Sequence, residues 1–445
     1  MLISSARSTD ITFLTSVFIF VKSVLFVIPQ LVTQQYDTSS QIIFTSTKVP
    51  WIANYVLPRF LVWDPVFFIR IAQRGYIYEQ EWAWGWLWMW TIRNVGEYLV
   101  SPILAIAWPE LEKEVDDIGN QVESIYIYAI AAIIIAHIGH YLAVIMIYIA
   151  SSQVEKYIRP LSAVSLKQES SNSRSVFPLL SALLYIISPG GIFMSAGYSE
   201  TLFAFFSFLG IAFREADAHV LSGVAFCITC CLRGNGLLWG ILFLNDLFEA
   251  ARQKKVYKSL AIILGGTLVG GGFLAGQIYA YFRYCPGREW CNQIPPLIYG
   301  YVQSHYWGVG LFKYWRTWQI PNFFFAFPTW FLFYRSYERY KDVPHLRPYV
   351  IIQSVMGIMS LFIWHVQIIT RLGTCMPLVY WYVAERLFMD EPEDAGEVIK
   401  GWGFKKILKR AKADFERHEG LWEVRYMITW IGVQAVLFAS FIPPA

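Results

Sequence analysis

The sequence is poor in charged residues. Only 15% of its 445 residues are Asp, Glu, Lys or Arg, whereas a soluble domain carries about 25%. The formal net charge of +4 is small and spread along the chain, and no basic stripe of the kind that nucleic-acid binding needs is present. Hydrophobic residues make up 56% of the chain. This composition excludes nucleic acid as a partner and favours a protein that is solvated by lipid.

Cysteine is also scarce, with six residues in the whole chain. Cys227, Cys230 and Cys231 lie in an apolar run, and we interpret them as buried thiols because a lipid-embedded segment is a poor zinc site. Cys285 and Cys291 bracket a polar Pro-Gly loop, and they can form a disulfide if that loop faces an oxidising lumen. We predict no metal ligands, because no Asp-x-Asp motif for a nucleotide-sugar metal occurs in the polar loops; dependence on a divalent metal stays open.

Long apolar runs and aromatic residues are abundant. Runs near the ~20 residues that a bilayer core requires occur at 11–32, 125–149, 259–282, 349–369 and 424–441. Shorter runs occur at 177–189, 199–213, 219–232, 236–248, 322–334 and 374–389, and breaks at 188–191 and 233–236 suggest spans interrupted within the membrane. The pattern predicts an all-α, polytopic membrane protein, a single domain over 1–445, with about eleven transmembrane helices.

Positive charge sets the predicted orientation. If the N-terminus is cytosolic, the basic segments 156–174, 252–255, 335–347 and 400–412 all fall on the cytosolic side. The acidic segment 33–124 and the loop 283–321 then face the opposite, luminal side. The segment 390–423 is interpreted as a cytosolic linker, either an amphipathic interfacial helix or a solvated charged helix.

The most informative motif follows the first long apolar run. Trp63 and Asp64 open it, and it closes with Tyr78, Glu79, Gln80, Glu81 and Trp82. Carboxylates beside a membrane are costly unless they are bound or hydrated, and neighbouring rings suit a sugar or a lipid head group. We predict that Asp64 is the catalytic base. The alternative is a helix N-cap, because Asp-Pro is a common helix start, and the two roles are compatible because a cap position also fixes the carboxylate.

Further polar side chains collect at span ends on the same predicted side. These candidate substrate-binding residues are Tyr198, Glu200, Arg233, Asn235, His305, Trp307, Gln319, Asn322 and Arg371. Polar clustering on one side is typical of an active site that opens to one compartment.

Four arginines compete for an anionic group. Arg70 and Arg74 are four residues apart on one predicted helical face, while Arg233 and Arg371 lie at other span ends. Pairing with nearby carboxylates such as Glu81 is the structural alternative. For Glu79 and Glu81, the functional alternative is that they bind acceptor hydroxyls or act as a second acid or base. A transporter or flippase, and a non-catalytic scaffold, remain rival classes; broken spans favour the transporter, but no inverted repeat is evident.

Several motifs resemble the GPI mannosyltransferase II (PIG-V) family. They are the stretch from Trp63 to Ala83, then 195–200, 233–238, 306–310 with 314–315, and 319–323. They occur in the family's order and cover about residues 60–385. Pro65, Gly308 and the stretch after Ala83 depart from the family pattern, which affects local loop geometry.

The resemblance implies a fold, a reaction and partners. The fold would be a GT-C-type glycosyltransferase of the endoplasmic reticulum membrane with a luminal active site, in which Asp64 matches the acidic residue of the first loop. The enzyme would transfer a second mannose, by an inverting α1,6 reaction, from dolichyl-phosphate mannose to a mono-mannosylated GPI lipid. A small accessory membrane subunit is a further implied partner, and another GT-C transferase is the alternative.

Overall fold

The computed structural model describes residues 8–111, 113–115, 119–158, 176–389 and 422–442. Within these residues the chain forms eighteen α-helices, several short 3-10 segments and one two-stranded hairpin. The prediction of an all-α protein is therefore confirmed. Most of the predicted linker 390–423 lies outside the described residues, which resume at Trp422.

Three helices among the described residues are long and apolar enough to cross a bilayer. They are α1 (Ser8–Gln30), α7 (Ile125–Ile158) and α12 (Val256–Tyr284). A fourth span is possible if the segment Trp51–Arg59 and helix α4 (Asp64–Arg74), which meet at 118°, act as one broken unit. The chain is thus a multi-pass membrane protein, whereas the total of eleven spans stays a prediction.

The segment 33–124 contains several short elements. Helices α2 (Ser39–Ile43) and α3 (Trp51–Val56) precede α4, and α5 (Trp86–Val95) and α6 (Ser101–Ala107) follow it. Strand β1 (Glu114–Val115) pairs antiparallel with β2 (Gln121–Val122). The predicted first luminal loop is therefore a folded layer and not an open connection.

The remaining helices complete the bundle. In chain order they are α8 (Phe177–Ile186), α9 (Glu200–Glu215), α10 (His219–Leu232), α11 (Gly240–Arg252), α13 (Ile298–His305), α14 (Ile320–Tyr340), α15 (Arg347–Phe362), α16 (Ile368–Leu372), α17 (Pro377–Met389) and α18 (Trp422–Ala439).

Small residues bring the central helices together. An added Cβ at Gly139 of α7 would lie 3.0 Å from Thr201 Oγ1 of α9, and one at Gly223 of α10 would lie 2.4 Å from the Gly265 Cα of α12. Such close approach maximises van der Waals contact, which drives helix association in lipid. The glycines of α12 at 265 and 272 therefore serve helix packing.

Two helix breaks lie where the sequence predicts interrupted spans, and at the second, 233–236, α10 ends at Leu232 and a 3-10 turn spans Gly234–Trp239. The first break is at 188–191. Helix α8 ends at Ile186 and a 3-10 turn begins at Gly191, whose φ of +44° suits glycine. The Gln434 side chain of α18 accepts from the Ile192 amide at 3.2 Å and donates to the Pro189 carbonyl at 3.1 Å. Side chains of α18 thus satisfy the irregular backbone, as burial in an apolar medium demands.

Candidate active site

Four charged side chains form one cluster, here called the charge cluster: Asp64, Glu200, Arg233 and Arg371. Arg371 donates through Nη2 to Asp64 Oδ2 at 3.2 Å and through Nε to Glu200 Oε1 at 2.6 Å. Arg233 Nη1 lies 2.8 Å from the same Glu200 oxygen. Since the two cations balance the two anions, the cluster is neutral. The Glu200 side chain is only 2% exposed, whereas that of Asp64 is 28% exposed, so Asp64 is the carboxylate within reach of a ligand.

Backbone strain fixes the position of Asp64. It is the first residue of α4, and the preceding Trp63 has φ 66° and ψ −117°, a conformation that costs a non-glycine residue about 1–3 kcal/mol. The Tyr198 hydroxyl holds this turn by donating to the Val62 carbonyl at 2.9 Å, and the Trp63 ring packs edge-on against Phe438. Asp64 is thus the first residue inside the helix, Trp63 is the N-cap, and the Asp64 carboxylate pairs with Arg371.

The charge cluster opens into a cavity of about 340 Å³. One part of its wall is aromatic, and the other carries hydroxyl, amide and imidazole groups. The aromatic lining residues are Trp63, Phe68, Trp84, Trp88, Phe193, Tyr299, Trp307 and Trp364, and the polar ones are Asp64, Ser199, Arg233, Asn235, Gln303, His365, Gln367 and Arg371. Apolar walls with a few convergent polar groups are typical of ligand sites.

Several polar atoms of this wall are buried without a protein partner among the described residues. They belong to the indoles of Trp88 and Trp307 (Nε1) and to the side-chain amides of Asn235 (Nδ2) and Gln367 (Oε1). A buried polar group left unsatisfied costs about 1–3 kcal/mol. The wall is thus suited to a ligand that supplies hydrogen-bonding groups of its own.

Four of the nine site residues predicted after residue 190 line this cavity. Of the sequence-predicted residues, Trp63, Asp64, Arg233, Asn235, Trp307 and Arg371 line it. Tyr198 and Glu200 lie behind Arg371, whose guanidinium carbon is 4.4 Å from the centroid of the Tyr198 ring. Residues far apart in sequence, such as Asp64 and Arg371, are joined here.

The arginines of α4 point elsewhere. Arg74 Nη2 pairs with Glu81 Oε1 at 2.7 Å, and Glu81 Oε2 accepts from the backbone amides of Ile77 and Tyr78 at 2.9 and 3.1 Å. Arg70 Nη1 donates to Gln73 Oε1 at 3.1 Å. The structural alternative of ion pairing therefore describes Arg74 and Glu81, which shape the loop beneath the cavity.

The rest of the first-loop motif connects to the loop 283–321. Glu79 accepts from Trp290 Nε1 at 2.7 Å and from the Tyr306 hydroxyl at 3.0 Å. Burial, together with this bond to a carboxylate, raises the pKa of Tyr306, so the phenol stays a donor. Trp82 Nε1 donates to the Tyr284 hydroxyl at 3.2 Å. Nearby, Tyr78 is 48% exposed and Gln80 is half-buried.

Three predicted residues of the later loops also lie off the cavity. His305 is exposed and stacks on Tyr301. Asn322 donates to Gln319 Oε1 at 2.6 Å and to the Tyr314 hydroxyl at 2.9 Å. The Tyr314 ring in turn stacks on the cavity-lining His365 at 4.9 Å, so Gln319 and Asn322 support the wall from behind. In the same region, Cys285 and Cys291 form a disulfide.

Sequence reasoning missed part of the aromatic wall. Trp84, Trp88, Tyr299 and Trp364 line the cavity but were not among the predicted site residues. The signal for two of them lies in the stretch that departs from the family pattern after Ala83. Its Gly85 docks against the end of α10, where an added Cβ would lie 2.2 Å from the Leu232 carbonyl oxygen.

In the part of the chain that the structure covers, no group of three His, Cys, Asp or Glu side chains could hold a metal ion.

The fold and the cavity define a multi-pass membrane protein with an enzyme-like polar site. Comparison with known proteins specifies the class. The family model described as mannosyltransferase (PIG-V) matches residues 10–146, 124–347 and 335–445. The chain therefore belongs to the PIG-V mannosyltransferase family, and the predicted enzyme class is confirmed.

Curated relatives match over nearly their full length. GPI mannosyltransferase 2 of Yarrowia lipolytica is 35% identical, with 98% of this chain and 99% of the relative covered. The proteins of the same name from Saccharomyces cerevisiae and Candida albicans are 29% and 27% identical, each with 97% of this chain and 99% of the relative covered. Among solved structures, an oligosaccharyltransferase of Archaeoglobus fulgidus matches with a TM-score of 0.40 and 13% identity, covering 96% of this chain and 55% of that chain; a likeness this distant supports no inference.

Proposed function

We propose that this enzyme adds the second mannose to a GPI precursor, in α1,6 linkage, with dolichyl-phosphate mannose as the donor. The observation that carries the proposal is the contact of Arg371 with both Asp64 and Glu200 at the wall of a cavity rich in tryptophan. This arrangement places a carboxylate beside a guanidinium pair, which are the two groups that such a transfer needs. The names of the relatives support the GPI lipid as the acceptor.

The chemistry follows from the donor and the product. The donor mannose is β-linked to phosphate and the product is α-linked, so the reaction inverts the configuration at C1. Asp64 takes the proton of the acceptor hydroxyl while that oxygen bonds to C1 of the mannose. The bond between C1 and the phosphate oxygen breaks, and dolichyl phosphate leaves with the electron pair. Arg371 and Arg233 stabilise the negative charge that develops on the phosphate.

Glu200 and Asp64 have different roles in this scheme. Glu200 is buried and holds both guanidinium groups through one oxygen, so it orients them. Asp64 is more exposed, and its contact with Arg371 is longer than that of Glu200, at 3.2 against 2.6 Å. An arriving phosphate can therefore take the Arg371 Nη2 donor from Asp64 and leave the base free to accept a proton.

The luminal face of the endoplasmic reticulum is the proposed location. The disulfide between Cys285 and Cys291 requires an oxidising compartment. Its loop is tied to the first loop through the hydrogen bonds of Glu79 to Trp290 and Tyr306. Glu79 lies in the same segment, 33–124, as Asp64. Because this segment contacts the disulfide loop, we assign both to the lumen.

The test is mannose transfer from dolichyl-phosphate mannose to a mono-mannosylated GPI lipid in membranes that also contain the family's small accessory subunit. Asp64→Asn keeps an acceptor oxygen for Arg371 but removes the base, and we expect turnover to fall about 100- to 10,000-fold. Asp37→Asn, an exposed change outside the cavity, is the matched control. Retained turnover in Asp64→Asn removes the assigned base. Wild-type transfer to an N-glycan lipid but not to the GPI lipid removes the assigned acceptor.

A further inference from the structure

The unpartnered polar atoms of the cavity are next to the arginines of the charge cluster. Asn235 is two residues after Arg233, in the 3-10 turn that follows α10. Gln367 directly precedes α16, the short helix that carries Arg371. Thus each arginine that is proposed to hold the phosphate has a half-buried amide side chain on its own segment, and one buried atom of that amide lacks a partner within the described chain.

Two indoles complete this set of groups. Trp88 is only 1% exposed, yet it lines the cavity, and its Nε1 has no hydrogen-bond partner among the described residues. Trp307 likewise lines the cavity, its Nε1 has no partner among the residues that the structure describes, and its ring centroid lies 5.2 Å from that of Trp84. An indole N–H is only a donor, so it needs an acceptor from the ligand. A ring beside it offers an apolar face to the same ligand.

We infer that Trp88, Asn235, Trp307 and Gln367, here called the hydroxyl subsite, recognise the hydroxyl groups of the donor's mannosyl unit. A hydroxyl group can both donate and accept, so it can satisfy the indole N–H groups and either end of a side-chain amide. A lipid tail could satisfy none of them, and an anion would leave Gln367 Oε1 without a donor. The ligand class that fits is therefore a neutral, hydroxyl-rich sugar ring.

The donor sugar is favoured over the acceptor sugar by position. The donor's mannose is bonded directly to the phosphate, so it must lie within one bond of the group that Arg233 and Arg371 hold. The adjacency of Asn235 and Gln367 to these arginines in the chain satisfies that requirement. This inference rests on the proposed function. It adds that the hydroxyl subsite recognises the mannosyl part of the donor, while the two arginines recognise its phosphate.

The test compares native dolichyl-phosphate mannose with donor analogues that each lack one mannosyl hydroxyl. Wild-type kcat/KM should fall about 10- to 100-fold for at least one analogue, because a buried polar group is then left unpaired. Trp307→Phe and Gln367→Met should lower kcat/KM for the native donor by a similar factor. With the analogue that lacks the hydroxyl bound by the replaced side chain, the kcat/KM of each variant should fall little below its value for the native donor. Trp315→Phe is the control, since that indole donates to the Leu361 carbonyl outside the cavity.

Three results would separate the possible failures. A wild-type enzyme that transfers no mannose overturns the proposed function itself. An active wild type in which hydroxyl removal and the substitutions act independently overturns the hydroxyl subsite alone. If the substitutions couple to missing hydroxyls of the acceptor and not of the donor, the subsite belongs to the acceptor and the donor assignment is wrong.

Discussion

Replacing Arg371 by lysine tests whether its guanidinium group serves the reaction or only the packing. Arg371 contacts Asp64 of α4 through Nη2 and Glu200 of α9 through Nε. A lysine ammonium is a single point of charge without the planar fork of arginine. It can therefore hold one of the two carboxylates but not both in their present places.

The size of the effect follows from the contacts. Each hydrogen bond to a charged group contributes about 1.5–3 kcal/mol, and removal of one preorganised donor to developing charge lowers kcat about 100- to 1,000-fold. We expect Arg371→Lys to lower kcat of mannose transfer at least about 100-fold. Arg233→Lys should have a smaller effect on kcat, because Arg233 contacts Glu200 and Ser199, whereas the described bond to Asp64 comes from Arg371.

Arg74→Lys is the matched control. The Arg74 and Glu81 side chains are 7% and 1% exposed, close to the 12% and 2% of Arg371 and Glu200. Both substitutions thus disturb a buried ion pair, and both should lower the midpoint of thermal unfolding in detergent. Only Arg371→Lys should lower turnover per folded molecule about 100-fold or more, measured after the folded fraction is determined by size-exclusion chromatography. Normal kcat in Arg371→Lys would refute the assignment of the phosphate to the charge cluster. Loss of turnover in folded Arg74→Lys would move that assignment to Arg74.

Three further predictions concern the loops around the cavity. Glu81→Gln should lower the free energy of unfolding by about 3 kcal/mol, because its buried carboxylate binds an arginine and two amides; thermal unfolding measures this, and activity per folded molecule should persist. Gly85→Ala should sharply reduce the yield of folded protein, since its Cβ would lie 2.2 Å from a carbonyl oxygen, whereas Gly240→Ala, with nothing within 4 Å, should not. In sealed endoplasmic reticulum vesicles, Cys285 and Cys291 should react with an impermeant maleimide only after both permeabilisation and reduction.

Each of these predictions has an outcome that would contradict it. A Glu81→Gln variant that is as stable as the wild type but inactive would show that this carboxylate acts in the reaction or binds substrate. Equal yields of the two alanine variants would mean that the Gly85 loop does not dock on α10. Labelling of the cysteines in intact vesicles would place their loop, and with it the assigned active site, on the cytosolic side.

The sequence predicts the fold class and half of the site because local signals exist for both. Apolar length marks α1, α7 and α12, and motifs carry the resemblance around Asp64 and Arg233. The number of membrane spans among the shorter apolar runs is not predicted as clearly, since helices of 10–17 residues such as α8 and α10 need neighbouring segments to complete a crossing. Their number depends on tertiary packing, which apolar length does not encode.

The choice among the four candidate arginines could not be made from the sequence. Arg70 and Arg74 are closest to Asp64 along the chain, but the helix directs them to Gln73 and Glu81. Arg371 is 307 residues away from Asp64 and reaches it only in the folded chain, through one side-chain contact. Long-range pairing of this kind leaves no periodic pattern.

Helix α18 has a consequence for the synthesis of the enzyme. Its Gln434 ties down the turn at Pro189, and its Phe438 packs against the Trp63 ring beside the candidate base. The ribosome must therefore translate past residue 438 before the turn made hundreds of residues earlier gains its final support. A nonsense codon just upstream of α18 would leave every charge-cluster residue encoded, yet we expect the product to be inactive and to be recognised by quality control as incomplete.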